Sequence, residues 1–123
     1  MLSRAARRLL DRHFELQDIV MESYKRRHES VEMRRACERA AKEHLSEFPA
    51  FLGPLTRLGG GSLPRVSTFQ HFATLLSEEG RFDEAVKICE LGLSYDLHDN
   101  TVGGLEGRIK RIRRQQRKAN AVS

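Results

Sequence analysis

The sequence predicts an all-α fold, and three observations carry that prediction. No stretch alternates apolar and polar residues with the β-branched enrichment that marks a strand. Apolar residues instead recur at i, i+3, i+4 and i+7 in one segment after another. Shifted along itself by 52 residues without gaps, the chain sets Phe14 on Val66, Val20 on Phe72, Tyr24 on Leu76, Cys37 on Cys89, Ala40 on Gly92 and Leu45 on Leu97. A helical pair cannot bury its apolar face alone, so two similar pairs in one chain are expected to stack.

The first helix is predicted from Arg4 to Arg27, with Leu9, Leu10, Phe14, Leu16, Val20 and Tyr24 on its apolar face. Ser30 is placed to cap the second, and Glu32 in its first turn opposes the helix dipole. Pro49 and Gly53-Pro54 are expected to stop that helix near Phe48, which leaves a loop over 49–63. The loop holds Gly59-Gly60-Gly61-Ser62, yet it lacks the G-x-x-x-x-G-K-[ST] spacing of a phosphate cradle. Pro64, or alternatively Ser67, opens a third helix carrying Phe69, Phe72, Ala73, Leu75 and Leu76. Gly80 closes it in a left-handed conformation, and a fourth helix follows from Phe82 to Tyr95 with Asp83 and Glu84 at its positive end. Gly103-Gly104 marks a further turn before a capping helix over 104–118, in which Leu105, Ile109 and Ile112 form the apolar stripe. Fraying is expected from Gln115, with 119–123 a flexible tail. Phe72, Leu76, Ala85, Val86, Cys89 and Leu93 should be buried, and Lys110 and Arg114 exposed.

At 123 residues one domain is expected, over 1–118. The net charge of +5 belongs to the two ends, since residues 13 to 104 are net acidic. Cys37 and Cys89 form no C-x-x-C pair, which fits a reducing cytoplasm. The start lacks the apolar core of a secretory signal, although its Arg-rich, acid-poor character also fits an organellar presequence. No run approaches the roughly 18 apolar residues of a membrane span. The five histidines show no H-x-x-x-H or H-E-x-x-H pair, so no metal site is expected. His13 stands near Asp11 and Glu15, but neighbours on one helix point apart, and no catalytic constellation or cofactor site follows.

Gly80-Arg81-Phe82-Asp83-Glu84-Ala85-Val86, followed by Cys89 and Gly92, resembles the second half of a tetratricopeptide repeat. The resemblance implies a TPR-like array of two antiparallel hairpins, over 14–47 and 66–99, closed by the C-terminal helix. It places small residues at close helix approaches, here Ala85, Cys89 and Gly92, and Met33, Cys37 and Ala40 in the first copy. Met33 departs from that pattern, as does His28 where the family carries the inter-helix glycine. The segment Gly103 to Ile109 resembles the end of a group of small bacterial proteins built on this plan.

In such arrays the first helix of each pair lines a concave groove. The resemblance assigns Glu15, Asp18, Glu22, Lys25, Gln70, Thr74 and Ser77 to it. A carboxylate-gripping clamp needs Lys, Arg and Asn where Asp18 and Glu22 stand, so a basic or neutral polar peptide is the better expected ligand. The implied function is a non-enzymatic protein-interaction adaptor. A second candidate surface is the basic run Arg108, Lys110, Arg111, Arg113, Arg114, Arg117 and Lys118. It could neutralise phosphates, but with no aromatic interleaved any nucleic-acid contact would be nonspecific. A homodimer is the alternative to the capping helix for covering the open end of a two-repeat array.

Overall fold

The computed structural model describes residues 2–122, and among these it contains five helices and no strand. They are α1 (Arg4–Lys25), α2 (Val31–Leu58), α3 (Thr68–Glu78), α4 (Phe82–Ser94) and α5 (Gly104–Val122). No helix among the described residues is long and apolar enough to cross a membrane. The chain packs as two compact units, Met1–Thr68 and Phe69–Ser123.

In the first unit α1 is capped by Ser3, whose side chain accepts from the Ala6 amide. The Ser30 hydroxyl caps α2 as expected, accepting from the Met33 amide at 3.2 Å. The two helices run antiparallel, with His13 opposite His44 and Val20 opposite Cys37. The buried stripe of α1 is Ala6, Leu10, His13, Leu16, Val20 and Ser23. Phe14, expected on that stripe, is 41% exposed because His13 occupies the seam instead. Leu9 and Tyr24 are half-buried at its edges.

Pro49 and Gly53-Pro54 do not stop α2, which runs through both prolines to Leu58 and shortens the expected loop to 59–67. Each internal proline removes a backbone hydrogen bond and costs about 3 kcal/mol. The antiparallel register shows what offsets this. The first turn of α1 presents Ala6, which this register sets opposite Phe51, and an α2 ending at Phe48 would leave it uncovered. Continuing the helix buries Phe51 and Leu55 beside Phe48, at about 1.5–3 kcal/mol for each such side chain. Two such side chains return about 3–6 kcal/mol against about 6 for the two prolines, so tertiary burial is large enough to offset most of the local cost. The third helix starts at Thr68, later than Pro64 or Ser67, because the Ser67 amide donates to Gln17 Oε1 and Thr68 is fixed to α2.

In the second unit α3 ends on Gly80 with φ +75°, as expected. The Arg81 amide donates to Leu76 O and the Gly80 amide to Ser77 O, which satisfies the last carbonyls of the helix. The same closure ends α4, with Asp96 in the left-handed position at φ +58°. Phe69, Phe72, Ala73, Leu75, Leu76, Ala85, Val86, Cys89, Leu97, Leu105 and Ile112 form the core, while Leu93 is only half-buried. Gly92 sits where two elements close on α4: a Cβ there would lie 2.6 Å from Leu105 Cδ1 and 3.2 Å from Phe69 Cδ1.

The fifth helix extends to Val122, past the expected end at 118 and through the region expected to fray from Gln115. Arg113 and Gln116 both reach Asp83 at the start of α4, at 2.6 and 3.3 Å, which holds the helix one turn beyond its last apolar anchor. Residues 117–122 then follow with good helix formers such as Arg, Lys and Ala. Ser123 lies outside the described residues.

Two substitutions test these packing arguments. Gly92→Ala should destabilise the chain by about 1–3 kcal/mol in urea denaturation, since the clash outweighs the helix-propensity gain of about 1 kcal/mol. Pro49→Ala should instead stabilise it by about 1–3 kcal/mol, because Pro49 is exposed and alanine restores a helical amide without loss of packing.

Candidate interaction surface

The buried heart of the first unit is a polar chain that sequence spacing did not reveal. His44 Nε2 lies 2.8 Å from His13 Nδ1, and His44 Nδ1 lies 2.7 Å from Thr68 Oγ1. All three side chains are fully buried, and Phe48 and Phe51 pack around both rings with centroid separations of 5.5–6.2 Å. With neutral rings the bonds can run from Thr68 to His44 to His13, or in the reverse direction. One added proton would make His44 a donor at both ends, and a second would set N–H against N–H.

Burial pushes His13 down to about 4, and burial followed by the neighbouring His13 does the same to His44. Beside the pair, Arg12 grips Glu47 through Nε at 3.1 Å and Nη2 at 3.0 Å and also reaches Glu43. The hydrogen bond from Arg12 holds the Glu47 carboxyl below its ordinary range. His13 and His44, far apart in the chain and in neither an H-x-x-x-H nor an H-E-x-x-H pair, are thus brought together by the packing of α1 on α2. Each stands on a seam with spacings of four and three: Ala6, Leu10, His13 on α1, and Cys37, Ala41, His44, Phe48 on α2. That periodicity was the available signal.

The two thiols are buried, and burial raises both, Cys89 to about 11, so neither is a thiolate at neutral pH.

The seven predicted groove positions fall in both units. Glu15, Asp18, Glu22 and Lys25 share the solvent face of α1, where Glu15 approaches Arg12 at 3.5 Å and Glu22 approaches Lys25 at 4.0 Å. Such pairs are weak at this exposure. Phe14 and Ile19, 41% and 43% exposed, flank this row. The face is thus an acidic strip between two apolar edges.

Gln70, Thr74 and Ser77 lie on one face of α3 and are half-buried. Thr74 and Ser77 line a cleft of about 240 Å³ with Glu78, Arg108, Arg111, Ile112 and Gln115. Two groove positions and two members of the basic run therefore meet in one place. The reason is an ionic hinge pin: Arg108 Nε donates to Asp99 Oδ2 at 2.6 Å and its Nη1 donates to Thr74 Oγ1 at 3.0 Å. Burial works to raise the Asp99 carboxyl, yet hydrogen bonds from Thr101 and Arg108 prevail and hold it down at about 2.

The basic run divides accordingly. Arg108 is tied to Asp99 and Thr74, Arg111 to the Val102 carbonyl and Thr101, and Arg113 to Asp83 and Gln116. Lys110, Arg114, Arg117 and Lys118 are exposed and fall at i, i+4, i+7 and i+8, on one stripe of α5. The sequence gives their spacing, while the sorting depends on partners that only the fold supplies.

Compared with family models, curated proteins and solved structures, the chain matches none.

The buried pair makes stability depend on pH. An unfolded histidine takes up its proton near pH 6.5, and the folded pair does so only near pH 4. Between those values the unfolded chain binds more protons, so stability falls as pH drops through the window. Urea denaturation should show a loss on the order of 3 kcal/mol or more from pH 7 to pH 4, and His13→Leu with His44→Leu should flatten that slope.

Proposed function

We propose that this chain is a TPR-like, non-enzymatic interaction module that holds a basic protein segment on the exposed face of α1. The observation that carries this reading is the composition of that face: Glu15, Asp18 and Glu22 run along it between the exposed rings and branches of Phe14 and Ile19. Large apolar side chains beside exposed carboxylates, of which Asp18 makes no ion pair among the described residues and Glu15 and Glu22 only weak exposed ones, suit a partner helix that brings both apolar contact and positive charge. The TPR-like character draws support from Ala85, Cys89 and Gly92, buried where the resemblance requires small residues. A cytoplasmic location belongs to the same proposal and is supported by two buried, unpaired cysteines.

A second reading, nonspecific nucleic-acid binding, is favoured by the exposed stripe of Lys110, Arg114, Arg117 and Lys118, four cations able to replace counterions on a phosphate backbone. One set of fluorescence-anisotropy titrations separates the two, using a labelled basic amphipathic peptide and a labelled DNA duplex at several salt concentrations. The adaptor reading expects the peptide to bind and Asp18→Lys with Glu22→Lys to weaken it at least about tenfold, or 1.4 kcal/mol. Peptide affinity unchanged by those substitutions, or DNA binding with a steep salt slope that Arg114→Gln and Arg117→Gln reduce, would overturn it.

A further inference from the structure

The acidic face of α1 and the basic stripe of α5 are built on one spacing. Asp11, Glu15, Asp18 and Glu22 are separated by four, three and four residues, while Lys110, Arg114 and Arg117 are separated by four and three, with Lys118 alongside. All these side chains are exposed. Asp11 and Asp18 on one surface, and all four cations on the other, make no hydrogen bond or ion pair among the described residues. Residues so spaced stack on one side of a helix, and the acidic row spans about 16 Å at about 1.5 Å per residue. Run antiparallel, Glu22, Asp18 and Glu15 fall opposite Lys110, Arg114 and Arg117 in turn.

We infer that the partner of the α1 face is the α5 stripe of a second copy of this chain. This rests on the reading of α1 as a docking face and names its occupant. Charge complementarity argues for it, and so does the shared spacing, which sets three ion pairs in register without bending either helix. The fold leaves most of both surfaces open: the cations that α5 uses internally are Arg108, Arg111 and Arg113, none of them one of the three in register, and on α1 Glu15 and Glu22 make only weak exposed pairs. The contact joins two different surfaces and each copy offers one of each, so two copies can exchange both contacts in a two-fold dimer or associate head-to-tail into rings or open chains. Exposed ion pairs contribute little each and are screened by salt, so the contact is weak and belongs to low ionic strength.

Sedimentation velocity of the full chain tests this at about 0.01 M salt, where the Debye length is about 30 Å, and at about 1 M, where it is about 3 Å. At low salt the sedimentation coefficient should rise with protein concentration, and at high salt it should return to that of the monomer. Glu15→Lys, Asp18→Lys and Glu22→Lys together should abolish the rise, as should Lys110→Glu, Arg114→Glu and Arg117→Glu. An equimolar mixture of the two triple variants should regain it, because each then supplies the surface the other needs. A wild-type chain that stays monomeric at every concentration in low salt overturns the inference without recourse to any variant. So does association that survives both reversals, or that requires added DNA. If that monomeric chain still binds the basic peptide through α1, the docking face stands and only its occupant is wrong; if it binds neither, both fall.

Discussion

Two imidazoles and a hydroxyl, joined by hydrogen bonds inside an aromatic box, set the register of the first unit. A buried polar group without a partner costs roughly 1–3 kcal/mol, so His13 and His44 tolerate few alternative alignments of α1 on α2. A slip by one turn would leave each ring against phenylalanine carbon with its nitrogens unmet. Leucines at both positions would pack in several registers; the histidines pack in one. Thr68 extends the same constraint to the start of α3, which explains why that helix begins later than its prolines and serines suggest.

The second unit applies the same principle with charge. Asp99 is almost fully buried, and its carboxylate is met by Arg108, the Thr101 amide and the Thr101 hydroxyl. Arg108 in turn reaches Thr74, so one guanidinium joins α5, the loop before it and α3. Severing either partner would leave the other charge buried and unpaired, which is the costly outcome for such pairs. Asp83 adds a solvent-side tie to Arg113 and Gln116, and the helix continues past its last apolar residue as a result.

What the sequence disclosed is what local forces decide. The cap at Ser30, the left-handed glycine at Gly80 and the turn at Gly103-Gly104 depend on a few neighbouring residues, and they appear where the residue types place them. Pro49 and Pro54 misled because their cost is local while the compensating burial of Phe51 and Leu55 comes from a helix more than thirty residues earlier. The histidine pair was hidden for the same reason, although the four-three spacing around each ring was already visible. Of the candidate surfaces, the acidic row on α1 was legible as a pattern. The division of the basic run was not, because Asp83, Asp99 and Thr74 decide it from other elements.

The direct test of the account is nitrogen-15 NMR of the histidine rings across pH. His13 and His44 should each show one protonated and one bare nitrogen at neutral pH, with shifts that stay fixed until the pH nears 4. Two rings that titrate near 6.5 with averaged, rapidly exchanging nitrogens would mean that neither is buried and that the hydrogen-bonded chain does not hold the first unit together.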